Sequence, residues 1–358
     1  MEISVLSDLL ANNGLGGYFN GRKYSPKYFE QFLPFKLSPT LQYQTILGSY
    51  GSPVMADVVA YSASSPLKTR RVLDKLTGDI PKISMKKKLS ESQLNTYMQL
   101  KNLSINNKEE LLSFVYGDVD HTVEGCRARM EWLALRMLSY GAITLNKTNN
   151  NGMVTESEID FLVPAANKIG ASVNWNAAAN TTKPITDIGT AQDLMIALGM
   201  PAKYMLMSTT SYRHLRTSTE AINFVFGRVL KDGSKFPTQS EINQELALNG
   251  YPEIIIVDSR TMAETDAHVQ SSLTPWYEGV VTFIPELECG SMMYAMSAEE
   301  MFPVKQCTYG KHGNILVSKF SETDPVTEYT VGQINAFPSW ETAGDSILMY
   351  TLDTTWSI

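Results

Sequence analysis

Hydrophobic positions recur with a helical period in one long stretch of the chain. In "HTVEGCRARMEWLALRMLSYG" the spacing of three and four places five apolar residues on one stripe: Val123, Cys126, Met130, Leu133 and Met137. Glu124, Arg127 and Glu131 fall on another face, spaced as a ladder of charges that can pair with one another. With Gly141 as its stop, the pattern predicts a helix over residues 123–140, about 27 Å long. A rod of this kind indicates a structural spine better than a pocket wall.

The first hundred residues show no sustained period. Residues 1–53 are rich in glycine, proline and aromatic residues, as in "NNGLGGYFNGRKYSPKYF", which predicts an extended arm that needs another surface to lie on. Residues 54–90 alternate loosely and are cut by Pro66 and Pro81, which predicts a long two-stranded excursion. Such a ribbon is marginal in water unless something packs against it.

A polar hairpin is predicted directly after the helix. "GAITLNKTNNNGMVTESEIDF" has the pattern of strand, turn and strand, because asparagine and glycine tolerate the positive φ that a tight turn requires. Carboxylates then alternate along one side of the returning strand, at Glu156, Glu158 and Asp160, with Ile159 and Phe161 on the other side. One side of the hairpin is therefore expected to face solvent, and the other to pack against the protein.

Helices and strands alternate between about residues 187 and 296. Asp187 is predicted to cap a helix that ends at Gly199, and Thr238 with Glu241 forms a capping box for another helix. "AKYMLMS" and "EIIIVDS" are predicted to be short buried strands. Helices over a central sheet follow as the expected α/β arrangement, and the last sixty residues return to β character.

Length and composition predict the number of cores, the cellular compartment and whether the chain is a subunit of an assembly. A chain of 358 residues is expected to hold at least two cores, and 19% charged residues fits a subunit that hides much of its surface against copies of itself. Three scattered cysteines argue against a disulfide scaffold and favour a reducing cytoplasm. There is no basic leader with an apolar core, and the apolar runs are too short to span a bilayer, so a soluble protein without a signal peptide is expected.

The charge is unevenly distributed along the chain. Residues 66–101 hold nine basic and three acidic residues, a net charge of +6, which leaves −13 for the rest of a chain whose total is −7. That total excludes a generally basic nucleic-acid binder. A basic excursion on an acidic body can pair with a neighbouring body, whereas the alternative is a solvated charged loop. The lysine run Lys86 to Lys88 could contact nucleic acid or an acidic protein surface.

Signatures of catalysis and ligand binding are missing. None of the four histidines belongs to an HExxH pattern, "ECGSMM" is not a nucleophile elbow, and "GLGGYFNG" is not a dinucleotide loop. The hairpin turn approaches a calcium-loop template, but Lys147 puts a cation in place of its first carboxylate. Cys126 is expected to be a core residue, while Trp132 and Trp175 could be core residues or interface anchors. No catalytic residue, cofactor or metal site is therefore expected.

The order of these parts resembles a tailed-bacteriophage major capsid protein of the lambda type, in the major capsid protein E family. "RVLDKLTGDIPKIS", "CRARMEWLALRMLSYGAITL", "EIDFLVP", "DIGTAQDLM", "PAKYMLMS" and "INAFPSWETAGDSILM" carry the resemblance. It implies an α+β chain with the Hong Kong 97-like fold. By position, the implied parts are an N-terminal arm (1–53), an extended loop (54–100), a peripheral domain with spine helix and hairpin (101–165), an axial domain (166–296) and returning β segments (297–358).

The resemblance also implies a function. The chain would form hexamers and pentamers of an icosahedral shell around double-stranded phage DNA, which it contacts without sequence specificity, and it would neither catalyse a reaction nor bind a membrane. Its partners would be further copies of itself with scaffolding, portal and decoration proteins, in a virion assembled in the cytoplasm of a host bacterium. The expected assembly residues are Lys68, Arg70, Arg71, Lys86, Lys87, Lys88, Asn149, Asn150, Asn151, Glu156 and Glu158.

Two other functions compete with this one. An encapsulin-like compartment would use the same fold to enclose cargo enzymes in place of DNA. An α/β enzyme built on residues 187–296 would need a nucleophile or base with an orienting partner, and the sequence offers no such constellation.

Overall fold

The computed structural model describes residues 14–47, 74–102, 108–150, 157–227, 235–264 and 269–358 of the chain. The helices in these ranges are α1 (Gly14–Gly21), α2 (Tyr28–Phe32), α3 (Glu91–Asn102), α4 (Lys108–Tyr140), α5 (Pro184–Leu198), α6 (Thr209–Thr217), α7 (Thr219–Phe226), α8 (Gln239–Leu248) and α9 (Ala298–Met301). The strands are β1 (Phe35–Leu37), β2 (Gln42–Leu47), β3 (Asp74–Asp79), β4 (Lys82–Leu89), β5 (Ala142–Leu145), β6 (Ser157–Asp160), β7 (Lys168–Gly170), β8 (Tyr204–Met207), β9 (Glu253–Ile256), β10 (Thr261–Glu264), β11 (Gln270–Leu273), β12 (Val280–Ile284), β13 (Gly290–Ala295), β14 (Thr308–His312), β15 (Ile315–Thr323), β16 (Val326–Trp340) and β17 (Ile347–Tyr350).

Helix α4 is the spine that the apolar period predicts. Its 33 residues make a rod of about 50 Å, longer than expected because the helix continues without a break through Gly117. All five residues of the predicted stripe are buried, so this prediction is confirmed. The helix stops where Gly141 takes a φ of 79°, a left-handed conformation that glycine adopts without strain.

The larger sheet packs one face against α4. Its strand order is β1-β13-β16-β15-β14, and β4 also pairs with β16. The 15-residue strand β16 joins the sheet together, since it pairs with β15, β4 and β13 along its length. Helix and sheet approach closely at Gly332, where a Cβ atom would lie 2.8 Å from that of Thr122. Only glycine allows this contact without displacing the helix.

The smaller sheet has the order β7-β17-β12-β8-β9, with helices α5 to α8 beside it. The strands predicted in "AKYMLMS" and "EIIIVDS" are its β8 and β9, and the predicted Thr238–Glu241 capping box opens α8. One set of its side chains joins the helices in a second core, and the other set joins the α4 core. Thr282 Oγ1 donates to Leu138 O at 2.7 Å, which ties this sheet to the spine.

The predicted role of Asp187 as a helix cap is wrong. Helix α5 begins three residues earlier, at Pro184, whose fixed φ suits the first helical position. Asp187 lies inside the first turn, where its carboxylate accepts from Trp175 Nε1 at 2.8 Å and from Ser172 N at 3.0 Å. The carboxylate therefore fastens the preceding loop to the helix.

Residues 14–47 and 74–89, the described part of the first ninety, differ from the expected arm and excursion. From Gly14 onward the arm forms α1, α2 and β1, and it buries Leu15, Phe19, Phe29 and Phe32 in the subunit's own core. These helices of eight and five residues are too short for a visible period. The ribbon consists of β2 and β3, whereas residues 82–89 form β4 of the larger sheet.

Candidate assembly surfaces

Three side chains of the N-terminal arm converge on one carboxylate of the spine helix. Asp120 accepts hydrogen bonds from the hydroxyls of Tyr18 at 2.8 Å and Tyr24 at 2.7 Å, and it pairs with Arg22 at 2.7 Å. Tyr18 also stacks on Tyr116 of the same helix, with ring centroids 4.0 Å apart. Burial, with the hydrogen bond to Asp120 second, raises the pKa of Tyr18 to about 12. We call this group the arm clasp.

About two and three turns further along, the helix holds α2 through two more charged residues, Arg127 and Glu131. Arg127 Nη2 donates to Ser25 O at 2.9 Å and to Glu30 Oε1 at 2.6 Å. Both carboxylate oxygens of Glu131 accept backbone N–H groups at the start of α2, the closer at 2.9 Å from Phe29 N. Burial raises the pKa of Glu131, and these two N–H groups partly offset that rise.

The predicted ladder of charges along α4 is therefore wrong. Arg127 and Glu131 are buried under the arm, and only Glu124 is exposed. A buried charge requires hydrogen-bonded partners, and here residues about one hundred positions earlier supply them. No sequence pattern marks Asp120, Arg127 and Glu131 as contact residues for the arm. The one available signal is the tyrosine-rich basic segment "YFNGRKYSPKYF", which lies about one hundred residues earlier.

The ribbon is anchored to the larger sheet at its base. Tyr43 of β2 is buried and stacks on Phe337 of β16 with centroids 5.1 Å apart. Its cross-strand partner is Gly78, where a Cβ atom would lie 2.8 Å from the tyrosine ring, so glycine makes room for the anchor. The connection between the two strands, which carries the predicted interface residues Lys68, Arg70 and Arg71, lies outside the described residues.

The lysine run on β4 does not form one patch. Lys86 and Lys88 are exposed, whereas Lys87 is half-buried on the opposite side of the strand, the side that Met85 turns towards α4. Lys86 Nζ lies 3.7 Å from the ring centroid of Tyr329, a cation–π contact with its own subunit. In the described residues β4 pairs only with β16, so its lysines line an edge of the sheet.

The hairpin begins by folding back on the spine. Arg129 Nη2 of α4 donates to Asn149 O at 2.7 Å, and Asn149 Nδ2 donates to Thr144 O at 2.9 Å. Asn149 and Asn150 are accordingly half-buried, and Glu158 on β6 is exposed. The predicted alternation is confirmed, because Glu158 and Asp160 are exposed while Phe161 is buried. Asn151 and Glu156 lie outside the described residues.

Comparison with known proteins then decides between the competing functions. The sequence model of the family described as phage major capsid protein E matches residues 38–347. The chain belongs to this family. Its role is structural, as a subunit of a phage capsid shell and a component of the virion. These comparisons favour neither the cargo compartment nor the α/β enzyme.

Solved structures show the fold of this capsid protein. It resembles the crystal structure of a protein assigned to the capsid of an E. coli CFT073 prophage, with a TM-score of 0.58, 16% identity and coverage of 98% of this chain and 99% of that chain. A phage-related protein from Bordetella bronchiseptica RB50 gives a TM-score of 0.51, 12% identity and coverage of 94% and 96%. The expected Hong Kong 97-like fold is therefore confirmed. No curated protein sequence matches the chain.

The remaining candidates of the capsid protein lie in its core. Trp132 and Trp175, for which the sequence allowed either a core position or an interface position, are both buried in the subunit. Cys126 is buried as well, as expected. Burial raises the pKa of Cys126 and of Cys289 to about 12, which keeps both thiols protonated. Among the described residues no cluster of histidine, cysteine or carboxylate side chains could hold a metal ion. Nor does any helix in that part of the chain have the length and apolar character needed to cross a membrane.

Proposed function

We propose that this capsid protein assembles as hexamers and pentamers into an icosahedral shell that encloses double-stranded phage DNA, and that it catalyses no reaction. The match to the capsid family over residues 38–347 is the observation that carries the proposal. Scaffolding, portal and decoration proteins join further copies of the chain as its partners. Assembly takes place in the host cytoplasm.

The proposed organisation keeps the five parts expected from the sequence, but the arm contacts its own subunit. Residues 1–53 form the arm, 54–100 the extended loop, 101–165 the peripheral domain, 166–296 the axial domain and 297–358 the returning β segments. The arm clasp supports an arm that is fixed on its own subunit from Gly14 onward. In the proposed shell, neighbouring copies therefore cover the ribbon rather than this part of the arm.

Charge supports a contact between the ribbon of one copy and the body of the next. The ribbon connection carries Lys68, Arg70 and Arg71, while the chain outside residues 66–101 has a net charge of −13. Opposite charges attract across such an interface and fix its register, whereas two acidic bodies without the ribbon would repel each other. The same acidic body limits adhesion to the packaged DNA, whose phosphates it repels.

Two further surfaces contribute to the proposed contacts. The exposed lysines Lys86 and Lys88 line a sheet edge, which charged side chains protect from unwanted strand pairing and leave available to an acidic neighbour. The hairpin, with Asn149, Asn150, Asn151, Glu156 and Glu158, extends the peripheral domain towards local threefold axes. The exposed Glu158 and the buried Phe161 support a hairpin with one side open to solvent and the other packed against its own subunit.

Electron microscopy of the purified protein, alone and with neighbouring phage gene products, tests the proposal. Hollow shells made by the protein alone and DNA-filled shells made with its partners are expected. A soluble monomer under all assembly conditions contradicts the proposal. Shells that fill with a cargo enzyme and never with DNA support the compartment instead.

Reversal of the ribbon charges tests the electrostatic part. The triple variant Lys68→Glu, Arg70→Glu, Arg71→Glu is expected to fold, with an unchanged circular dichroism spectrum and melting temperature, but not to form particles. The control reverses three exposed lysines, Lys183→Glu, Lys203→Glu and Lys235→Glu, which changes the net charge equally. Normal particles from the ribbon variant refute the contact, and loss of particles from both variants assigns the effect to net charge alone.

A further inference from the structure

The segment between β13 and β14 carries an exposed group of large apolar side chains. Within residues 296–304, the exposed fractions are 77% for Phe302, 54% for Met301, 50% for Val304 and 49% for Met296. Phe302 is the most exposed of the large hydrophobic residues in the described part of the chain. We call this group the apolar knob. Single exposed apolar residues are ordinary, but a contiguous group marks an interaction surface.

Hydrogen bonds hold the backbone of the apolar knob in place. Phe302 N donates to Ala298 O at 2.8 Å, and Ser297 Oγ accepts from Glu300 N at 3.3 Å at the start of α9. Beyond the phenylalanine, Val304 N donates to the hydroxyl of Tyr309 on β14 at 3.1 Å. The short helix is thus capped by hydrogen bonds at both ends, and the exposed apolar side chains are attached to a hydrogen-bonded backbone.

Two strands of the larger sheet also contact the segment that carries the knob. Asn335 Nδ2 of β16 donates to Met296 O at 3.2 Å, and Lys311 of β14 pairs with Glu300. The knob is therefore attached to strands β16 and β14 of the sheet. Ordering of this kind lowers the entropic cost of binding, because the backbone that carries the apolar side chains is already fixed.

Local charge identifies the kind of partner. Glu299 and Glu300 lie within the segment that carries the knob, Lys305 follows it directly, and Lys311 of β14 pairs with Glu300. These two acidic and two basic residues balance, although the chain carries −7. Two acidic copies approach each other at least cost where the contact surface is neutral and apolar. A nucleic acid would require an excess of positive charge, which this surface lacks.

We propose that the apolar knob docks onto a second copy of this chain in the assembled shell. The inference rests on the proposed function and adds to it a contact surface outside the ribbon, the sheet edge and the hairpin. The contact is heterologous: the knob of one copy meets a different surface of the next copy, as closed rings of subunits require. Burial of Phe302 in that contact removes its apolar surface from water.

The double variant Met301→Ser, Phe302→Ser tests the proposal, with Leu248→Ser as its control. Leu248, at the end of α8, is 74% exposed and lies outside the knob. Both variants are expected to keep the melting temperature of the unmodified protein. The knob variant is expected to need an at least about tenfold higher subunit concentration to assemble, measured by light scattering, whereas the control does not. An unchanged assembly concentration for the knob variant overturns the inference.

Photo-crosslinking identifies the occupant directly. A benzoylphenylalanine at position 302 is expected to give a product with the mass of two chains in assembled particles and none in the dissociated subunit. Crosslinks only to another protein, or none at all, overturn the inference. If the unmodified protein forms no particles, the proposed function fails as well, whereas particles with normal assembly of the knob variant refute the knob contact alone.

Discussion

Replacement of Asp120 by asparagine isolates the charge of the arm clasp. The side chain keeps its shape, but the two tyrosine hydroxyls then meet a neutral amide in place of a carboxylate. Hydrogen bonds to a charged group are roughly twice as strong as neutral ones. With both bonds only partly buried, we expect the arm to lose about 1–2 kcal/mol of its attachment to α4. The ion pair with Arg22, which is largely exposed, contributes little to this figure.

Hydrogen exchange measured by mass spectrometry reports the loss where it occurs. Because the arm opens locally, peptides covering residues 14–32 are expected to exchange about 5- to 30-fold faster in Asp120→Asn. Peptides from β8 and β12 in the smaller sheet are expected to keep their rates. Glu124→Gln makes the same chemical change on the exposed face of the same helix, and it is expected to leave the arm peptides unchanged.

Two results would contradict a local attachment of the arm through Asp120. Equal exchange of the arm peptides in Asp120→Asn and Glu124→Gln would show that the clasp does not hold the arm. Faster exchange throughout the subunit would show that the arm opens only with the whole fold.

Three more predictions follow from burial and close packing. Gly290→Ala is expected to lower the free energy of unfolding in denaturant by about 1–3 kcal/mol, because its Cβ would overlap Ser339 O. As the matched control, Gly117→Ala places its Cβ in open space and is expected to raise the free energy of unfolding by about 0.5–1 kcal/mol. A maleimide is expected to label only Cys307 of the three thiols in the native protein at neutral pH, and labelling of all three before unfolding contradicts the burial of the other two. Since the pKa of Tyr18 is raised from 10.0 to about 12, its contribution to the clasp is complete below pH 10 and is lost as the pH rises through 12. A tyrosinate absorbance titration compared with Tyr18→Phe checks this: the difference between the two curves is expected to develop around pH 12, and a difference that is complete near pH 10 contradicts it.

Features that depend on neighbours in sequence were predictable. The stripe on α4, the stop at Gly141, the Thr238–Glu241 capping box and the alternation along β6 all follow from periods of 3.6 or two residues and from local backbone chemistry. The order of such elements also sufficed for the resemblance to the capsid family.

Features that depend on distant partners were not predictable. The charges of Arg127 and Glu131 have helical spacing, but their partners in α2 lie about one hundred residues away, and no local rule specifies them. Similarly, lysines on β4 suggested an exposed excursion, although the alternate residues Ile83 and Met85 turn towards the protein. Asp187 has the side chain of a helix cap, but the helix begins three residues earlier, at Pro184, and this start depends on packing that the sequence pattern does not show.

We propose that the ribbon of each subunit is completed by another copy. This is tested by a cryo-electron microscopy reconstruction of particles assembled from the purified protein. We expect density for residues 48–73 of one copy to lie on the acidic surface of its neighbour. Density that returns those residues to the body of their own subunit, in a particle that is otherwise intact, contradicts it.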